Sequence, residues 1–178
     1  MAGPARQTLT LSLLRHGKAV RDAGEGGDIA RPLTGRGRRN ATAVGAQMAK
    51  SGLTPSLILC SSAARTLETL DLVLPQLAAK PTISLLDTLY LAGPLVLLKR
   101  LHTVKKKTPH VMIIGHNPGL HALALDLIAD GPQDQIGALG RKLPTSGLVV
   151  IEFKLAGWDE VVAGTGTLVN FTSPSDDD

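Results

Sequence analysis

"TLTLSLLRHGKA", residues 8–19, runs seven short or apolar residues into Arg15, His16 and Gly17. The run reads as a buried strand, since it is brief, rich in leucine and threonine, and bounded by polar residues. A strand that ends on an arginine and a histidine puts both at the rim of a sheet. In open α/β sheets that rim, outside the carboxyl ends of the strands, is where ligands bind.

Four further stretches have the same character: "SLILC" (56–60), "TISLL" (82–86), "VMIIG" (111–115) and "GLVVIEF" (147–153). Helical periodicity fills the gaps. Ala41, Val44, Gly45, Met48 and Ala49 recur at i, i+3, i+4, i+7 and i+8, as do Leu120, Leu123, Ala124, Leu127 and Ile128, and Leu67, Leu70, Leu74 and Leu77 form a third stripe. Thr34 suits an N-cap, Ser61 or Ser62 another, and Asn117-Pro118 reads as N-cap followed by N1. Strand and helix therefore alternate, which predicts a three-layer α/β/α sandwich around a largely parallel sheet. "EFKLAGWDEVVAG" (152–164) is expected to add an antiparallel edge. The expected organisation is one domain over 8–172, with a disordered N-terminus at 1–7 and a disordered acidic tail at 173–178.

Composition narrows the function. The chain has 178 residues, a net charge of +4 and only four aromatic residues, so it suits acidic small groups and offers few flat faces for stacking bases. A nucleic-acid partner is not expected. The lone Cys60 cannot form an internal disulfide and no stretch approaches the roughly 20 apolar residues of a membrane span, so a cytoplasmic protein without membrane contact is expected. The five histidines and one cysteine lack zinc-ligand spacing, and no metal is expected. "CSSAAR" (60–65) has four residues between cysteine and arginine, one fewer than a cysteine phosphatase loop, so Cys60 reads as a buried strand residue. P-loop, serine-hydrolase and zincin motifs are absent from the sequence.

Three strands end suggestively. The first ends in Arg15-His16-Gly17, the second leads into a helix carrying Arg65 in its first turn, and the fourth ends in "IIGHNPGL" (113–120) with His116 before a helix. Two arginines and two histidines would converge at one rim, where guanidinium forks and helix N-termini match phosphate oxygens. His102, His110 and His121 fit no motif and read as structural, and Lys105, Lys106 and Lys107 read as a solvated helix end.

"LLRHGKA", "RPLTGRG", "SSAART" and "GHNP" (13–19, 31–37, 61–66, 115–118) resemble the signature blocks of the histidine phosphatase superfamily, with "RPLT" most similar to its SixA-type phosphohistidine phosphatase branch. The resemblance spans roughly residues 9–153 and implies a phosphoglycerate mutase-like fold. It departs from the family's pattern at Ser61-Ser62 and at Arg65-Thr66-Leu67, without removing a pocket residue. By resemblance, His16 attacks phosphorus and becomes phosphorylated, while Arg15, Arg65 and His116 complete the phosphate pocket. Gly17 and Asn117 stand beside it as substrate-binding candidates. No cofactor is required. The implied partner is a phosphorylated protein or a small phosphorylated metabolite, and the oligomeric state is not legible. The reading that follows is a metal-independent phosphatase acting on phosphohistidine in proteins. Its alternatives are a phosphatase for a small phosphomonoester and a non-catalytic phosphate-binding module. Asp87, in "LLDTLY" (85–90), bears on the first alternative: it is either the general acid for an alkoxide leaving group or a turn cap. Asp22, Glu25 and Asp28, on the loop after His16, are weaker acid candidates.

Overall fold

A computed structural model describes residues 5–22 and 24–174. The strands are β1 (Gln7–Arg15), β2 (Leu57–Ser61), β3 (Thr82–Leu86), β4 (His110–Gly115), β5 (Ile128–Asp130), β6 (Leu148–Leu155) and β7 (Gly166–Thr172). The α-helices are α1 (Gly35–Lys50), α2 (Ala64–Val73), α3 (Pro94–His102), α4 (Gly119–Leu127) and α5 (Gln133–Arg141). The strands form one mixed sheet in the order β3-β2-β4-β1-β6-β7-β5.

Period-two alternation sorts the core into two layers. Leu9, Leu11 and Leu13 of β1, with Val111 and Ile113 of β4, face Leu97 and Leu101 of α3, Leu120 and Leu123 of α4, and Leu139 of α5. Leu14 of β1, with Met112 and Ile114 of β4, faces Val44 and Met48 of α1 and Leu70 and Val73 of α2. All six residues of β4 are buried, as a parallel strand covered on both faces must be. The result is the α/β/α sandwich of the phosphoglycerate mutase-like kind.

Several local expectations need correction. The reversed strand, β6, lies between β1 and β7 instead of at an edge, because its Val149 and Ile151 belong to the same buried layer as Leu11 and Leu13. The outermost strands are β3 and β5. β5 and α5 carry little apolar signal, with Leu139 the sole fully buried residue of α5. Gln7, assigned to a disordered start, pairs with Leu155 in β1 and donates from Nε2 to the carbonyl of Ala156 at 3.2 Å. Of the expected tails, residues 1–4 and 175–178 lie outside the described residues. Thr34 does cap α1, its hydroxyl accepting from the Gly37 N–H at 3.0 Å. Ser61 and Ser62 do not cap α2: Ser61 is still extended opposite Leu86, and Ala63 takes the cap position. At α4 the cap is Pro118, joined to Asn117 by a cis peptide, and the helix begins at Gly119. Lys105, Lys106 and Lys107 follow α3 in a turn instead of ending it, and Lys106 pairs with Asp159 at 3.0 Å.

Candidate active site

The sheet register builds the site. β1 and β4 are parallel neighbours with Arg15 opposite Gly115, so His16 and His116 leave adjacent strand ends together. The His16 N–H donates to the Gly115 carbonyl at 3.1 Å, and the two imidazole centroids lie 5.3 Å apart. β2 lies on the other side of β4, which brings the Ser61 hydroxyl to His116 Nε2 at 2.7 Å.

His16 is buried, and its Nδ1 donates to the Gly17 carbonyl at 2.7 Å. A carbonyl only accepts, so Nδ1 carries the proton. Burial, followed by the charges of His116, Arg65 and Arg15, pushes the His16 pKa down to about 3. At neutral pH the ring is therefore uncharged with its lone pair on Nε2. Gly17 is glycine for a packing reason: a Cβ there would sit 2.7 Å from the Gly37 carbonyl oxygen of α1. His116 is pushed down to about 4, by burial first and Arg65 second. His116 Nε2 shares its hydrogen bond with the Ser61 hydroxyl, and its Nδ1 is a buried atom that has no hydrogen-bond partner.

Arg65 is almost fully buried, and Asp28 holds it. Its Nη1 donates to the Asp28 carbonyl at 2.8 Å and its Nη2 to Asp28 Oδ2 at 3.0 Å. The surface pair with Glu68 that its spacing permits does not form, because Glu68 binds Arg38 at 2.8 Å. Asp28 also accepts from the Tyr90 hydroxyl at 2.5 Å and from Arg31 Nε at 2.8 Å. Those donors, Tyr90 foremost, hold its carboxyl far below the usual carboxylate range. Those three donors favour Asp28 in its carboxylate form.

Arg15 donates from Nη1 to the Leu143 carbonyl at 2.9 Å, and Asn117 donates from Nδ2 to the same oxygen at 2.9 Å. The Arg15 guanidinium titrates below its ordinary value through burial and the nearby Arg65 charge. The segment carrying Leu143 is pinned by Ser146, whose N–H donates to the carbonyls of both Arg15 and His16 at 3.1 Å. Ser146 pays for this with φ 58°, a left-handed backbone that costs a non-glycine residue about 1–3 kcal/mol.

These groups surround a cavity of about 310 Å³ lined by Arg15, His16, Arg65, His116 and Asn117, together with Lys18, Arg31, Asp28 and Thr145. Four cations face one carboxylate, which suits a dianion. Of the residues singled out in the sequence, Arg15, His16, Arg65, His116 and Asn117 line the cavity, and Gly17 supports it from behind. Asp87 does not: it is exposed in a turn at the end of β3, its carbonyl accepting from the Tyr90 N–H, and it is absent from the cavity wall. His102 and His121 are tied to the carbonyls of Val161 and Leu139, and His110 to Ser12, all away from the site. Cys60 is buried in β2 and its thiol is pushed up to about 12 by burial. Sequence reasoning missed Ser61, Thr69, Tyr90 and Arg31. Thr69 accepts from the Gly17 N–H at 3.0 Å and donates to the Arg65 carbonyl at 2.7 Å. Arg31 and Asp28 stand three apart just before "PLT", a spacing that signalled the pair.

Among the described residues no group of three or more His, Cys, Asp or Glu side chains could hold a metal ion, and no helix is long and apolar enough to cross a membrane.

Comparison with known proteins gives a consistent picture. Residues 11–89 match the model of the histidine phosphatase superfamily (branch 1). An uncharacterized protein of Mycobacterium tuberculosis is 30% identical over 164 residues, covering 90% of this chain and 99% of the relative. Two solved structures, both provisionally described as phosphohistidine phosphatase SixA, superpose on nearly the whole chain. The Nakamurella multipartitia protein has TM-score 0.80 at 26% identity, covering 97% of this chain and 99% of that one. The Agrobacterium tumefaciens protein has TM-score 0.78 at 28% identity, covering 97% and 100%.

Proposed function

The chain belongs to the histidine phosphatase superfamily, in its SixA-type branch, and is a phosphatase; from that premise we propose that it removes the phosphoryl group from phosphohistidine in proteins, with His16 as nucleophile. In this reading, the His16 Nε2 lone pair attacks phosphorus while the bond from phosphorus to the substrate imidazole breaks, its electron pair leaving with that nitrogen, which takes a proton from water. Water then attacks phospho-His16, the phosphorus–nitrogen bond breaks, and inorganic phosphate leaves with His16 neutral again. Charge spread over the equatorial oxygens is met by Arg15 and Arg65, with His116 beside them on the cavity wall. Arginine stabilisation of phosphoryl transfer reaches about 10³–10⁵ in rate.

The observation that carries the choice of substrate is the state of Asp28. It is the single carboxylate on the cavity wall among the described residues, and it is bound by Tyr90, Arg31 and Arg65. A carboxylate so held has no proton to give. An alkoxide leaving from a phosphomonoester needs a proton donor worth about 10²–10⁴ in rate, whereas an imidazole leaves without one. Asp87, the first acid candidate for a phosphomonoester substrate, lies off the wall, as do Asp22 and Glu25.

The test compares phosphate release from a phosphohistidine peptide and from an alkyl phosphate, both in excess EDTA. The peptide is expected to be preferred by at least about 10² in kcat/KM, the missing contribution of an acid. Equal turnover of the two would end the phosphohistidine reading.

A further inference from the structure

The cavity that holds His16 has one large apolar side chain among its described lining residues, Leu91. We propose that Leu91 receives the imidazole ring of the substrate phosphohistidine, the leaving group of the reaction, and favours it over hydroxyl-bearing leaving groups such as a sugar; the inference rests on the protein-phosphohistidine reading and adds how the site tells that leaving group from others.

Leu91 is a poor choice for the fold alone. The Ala92 N–H donates to the Leu89 carbonyl at 3.3 Å, closing a turn with Tyr90 and Leu91 at its centre. Tyr90 has φ −63° and ψ 117°, and Leu91 has φ 49°, the pattern of a type II turn. The third position of such a turn favours glycine, because Cβ sterics disfavour a left-handed backbone. The Leu91 side chain does not offset that cost by burial: it is 54% exposed and belongs to neither apolar layer of the core. A strained backbone that carries an unburied apolar side chain on the wall beside the nucleophile points to a ligand.

The side chain is held ready. Before it, Leu89 is buried in the core layer that includes α3 and α4, and the Tyr90 hydroxyl is bonded to Asp28 at 2.5 Å. After it, the Ala92 carbonyl lies so close to Gly119, the first residue of α4, that a side chain at Gly119 would collide with it. The turn is thus clamped on both sides of Leu91, and a ligand that meets a clamped surface loses little to ordering it.

Size and chemistry select the ring. At about 310 Å³ the cavity is at the small end for ligand sites, room for one side chain with its phosphoryl group and not for a length of peptide. Arg15, Arg65 and His16 are engaged by the phosphoryl group in the proposed reaction. An imidazole can lay its carbon atoms on leucine while its nitrogen stays on phosphorus. A sugar would turn hydroxyls toward Leu91, and each hydroxyl so turned loses water without gaining a hydrogen bond.

The test is calorimetric titration of the full chain with inorganic phosphate, a phosphonopyrazole amino acid as the stable phosphohistidine analogue, and dihydroxypropyl phosphonate. The variants are Leu91→Gly and Leu91→Asn, both of which take a left-handed backbone more readily than leucine. Wild type is expected to bind the pyrazole more tightly than the polyol. Both variants should lose about three- to tenfold in pyrazole affinity, the scale of covering half a leucine side chain, while inorganic phosphate changes less than about twofold. A ring-to-polyol preference that both variants keep in full overturns the proposal. So does a loss shared equally by inorganic phosphate, which makes Leu91 a support of the anion pocket. Because none of the three ligands is hydrolysed, a ring preference through Leu91 stands even if alkyl phosphates turn over as fast as phosphohistidine, and the two readings fail separately.

Discussion

Asp28 grips Arg65 twice, with its backbone carbonyl at 2.8 Å and its carboxylate at 3.0 Å. The pairing makes Asp28 a positioning residue for the guanidinium. Asp28→Asn keeps the carbonyl tether and loses the ionic one, so phosphatase activity should fall about tenfold, the scale of one lost charged hydrogen bond. The loss should be the same for aryl phosphates of graded leaving-group pKa. A loss that grows with leaving-group pKa would show instead that Asp28 delivers a proton.

His16→Ala should abolish turnover while inorganic phosphate still binds, because Arg15, Arg65 and His116 remain on the cavity wall. Calorimetric titration of the variant with phosphate checks the second half. Retained hydrolysis in it removes His16 from the chemistry.

Arg65→Lys should recover little of what Arg65→Ala loses. An ammonium restores the charge but not the fork that reaches both the Asp28 carbonyl and carboxylate. Turnover equal to wild type in the lysine variant would place Arg65 outside the reacting geometry.

Stability and rate should both depend on pH through buried imidazoles. The pKa is pushed down to about 3 at His16, and to about 4 at both His110 and His116, in each case chiefly by burial. Between these values and the unfolded histidine pKa of about 6.5 the unfolded chain binds protons that the folded chain refuses. Their contribution is whole above about 6.5 and is lost as pH falls through that window toward the folded values. The melting temperature should therefore drop steadily from pH 6.5 to pH 4, whereas kcat/KM, which reports the free enzyme, should show no histidine titration until the imidazoles protonate near 4 and 3. A kcat/KM that halves near pH 6.5 would mean that the nucleophile titrates as an exposed histidine.

Gly17→Ala inserts a Cβ 2.7 Å from the Gly37 carbonyl oxygen and 3.1 Å from Leu33 Cδ2. Backbone cannot rotate away as a side chain can, so α1 or His16 must move. Overpacking of this kind costs about 1–3 kcal/mol, and chemical denaturation of the variant measures it. Unchanged stability and activity would show that α1 yields freely.

The strands and the convergence of Arg15, His16, Arg65 and His116 were legible because each depends on local pattern: a short apolar run, a polar residue at its end, a helix behind. What escaped depends on pairing across the sheet. Nothing in the spacing of β6 tells that it inserts beside β1, and β5 and α5 are too short or too polar to announce themselves. Asp87 read as a candidate acid within "LLDTLY", yet the turn at Asp87–Leu89 leaves it exposed. Tyr90 instead reaches Asp28, 62 residues earlier in the chain, a closure that only the folded loop reveals.

The Thr69 hydroxyl accepts from the Gly17 N–H and donates to the Arg65 carbonyl, so one side chain couples the nucleophile's strand to the arginine's helix. The spacing of the nucleophile's strand and the arginine's helix is thereby set when the chain folds. Such a centre is interchangeable hardware: mutations at the rim can retarget it from one phosphorylated partner to another without re-tuning the chemistry. Diversification of substrates within this architecture should then be written around the mouth of the cavity, while Thr69 stays fixed.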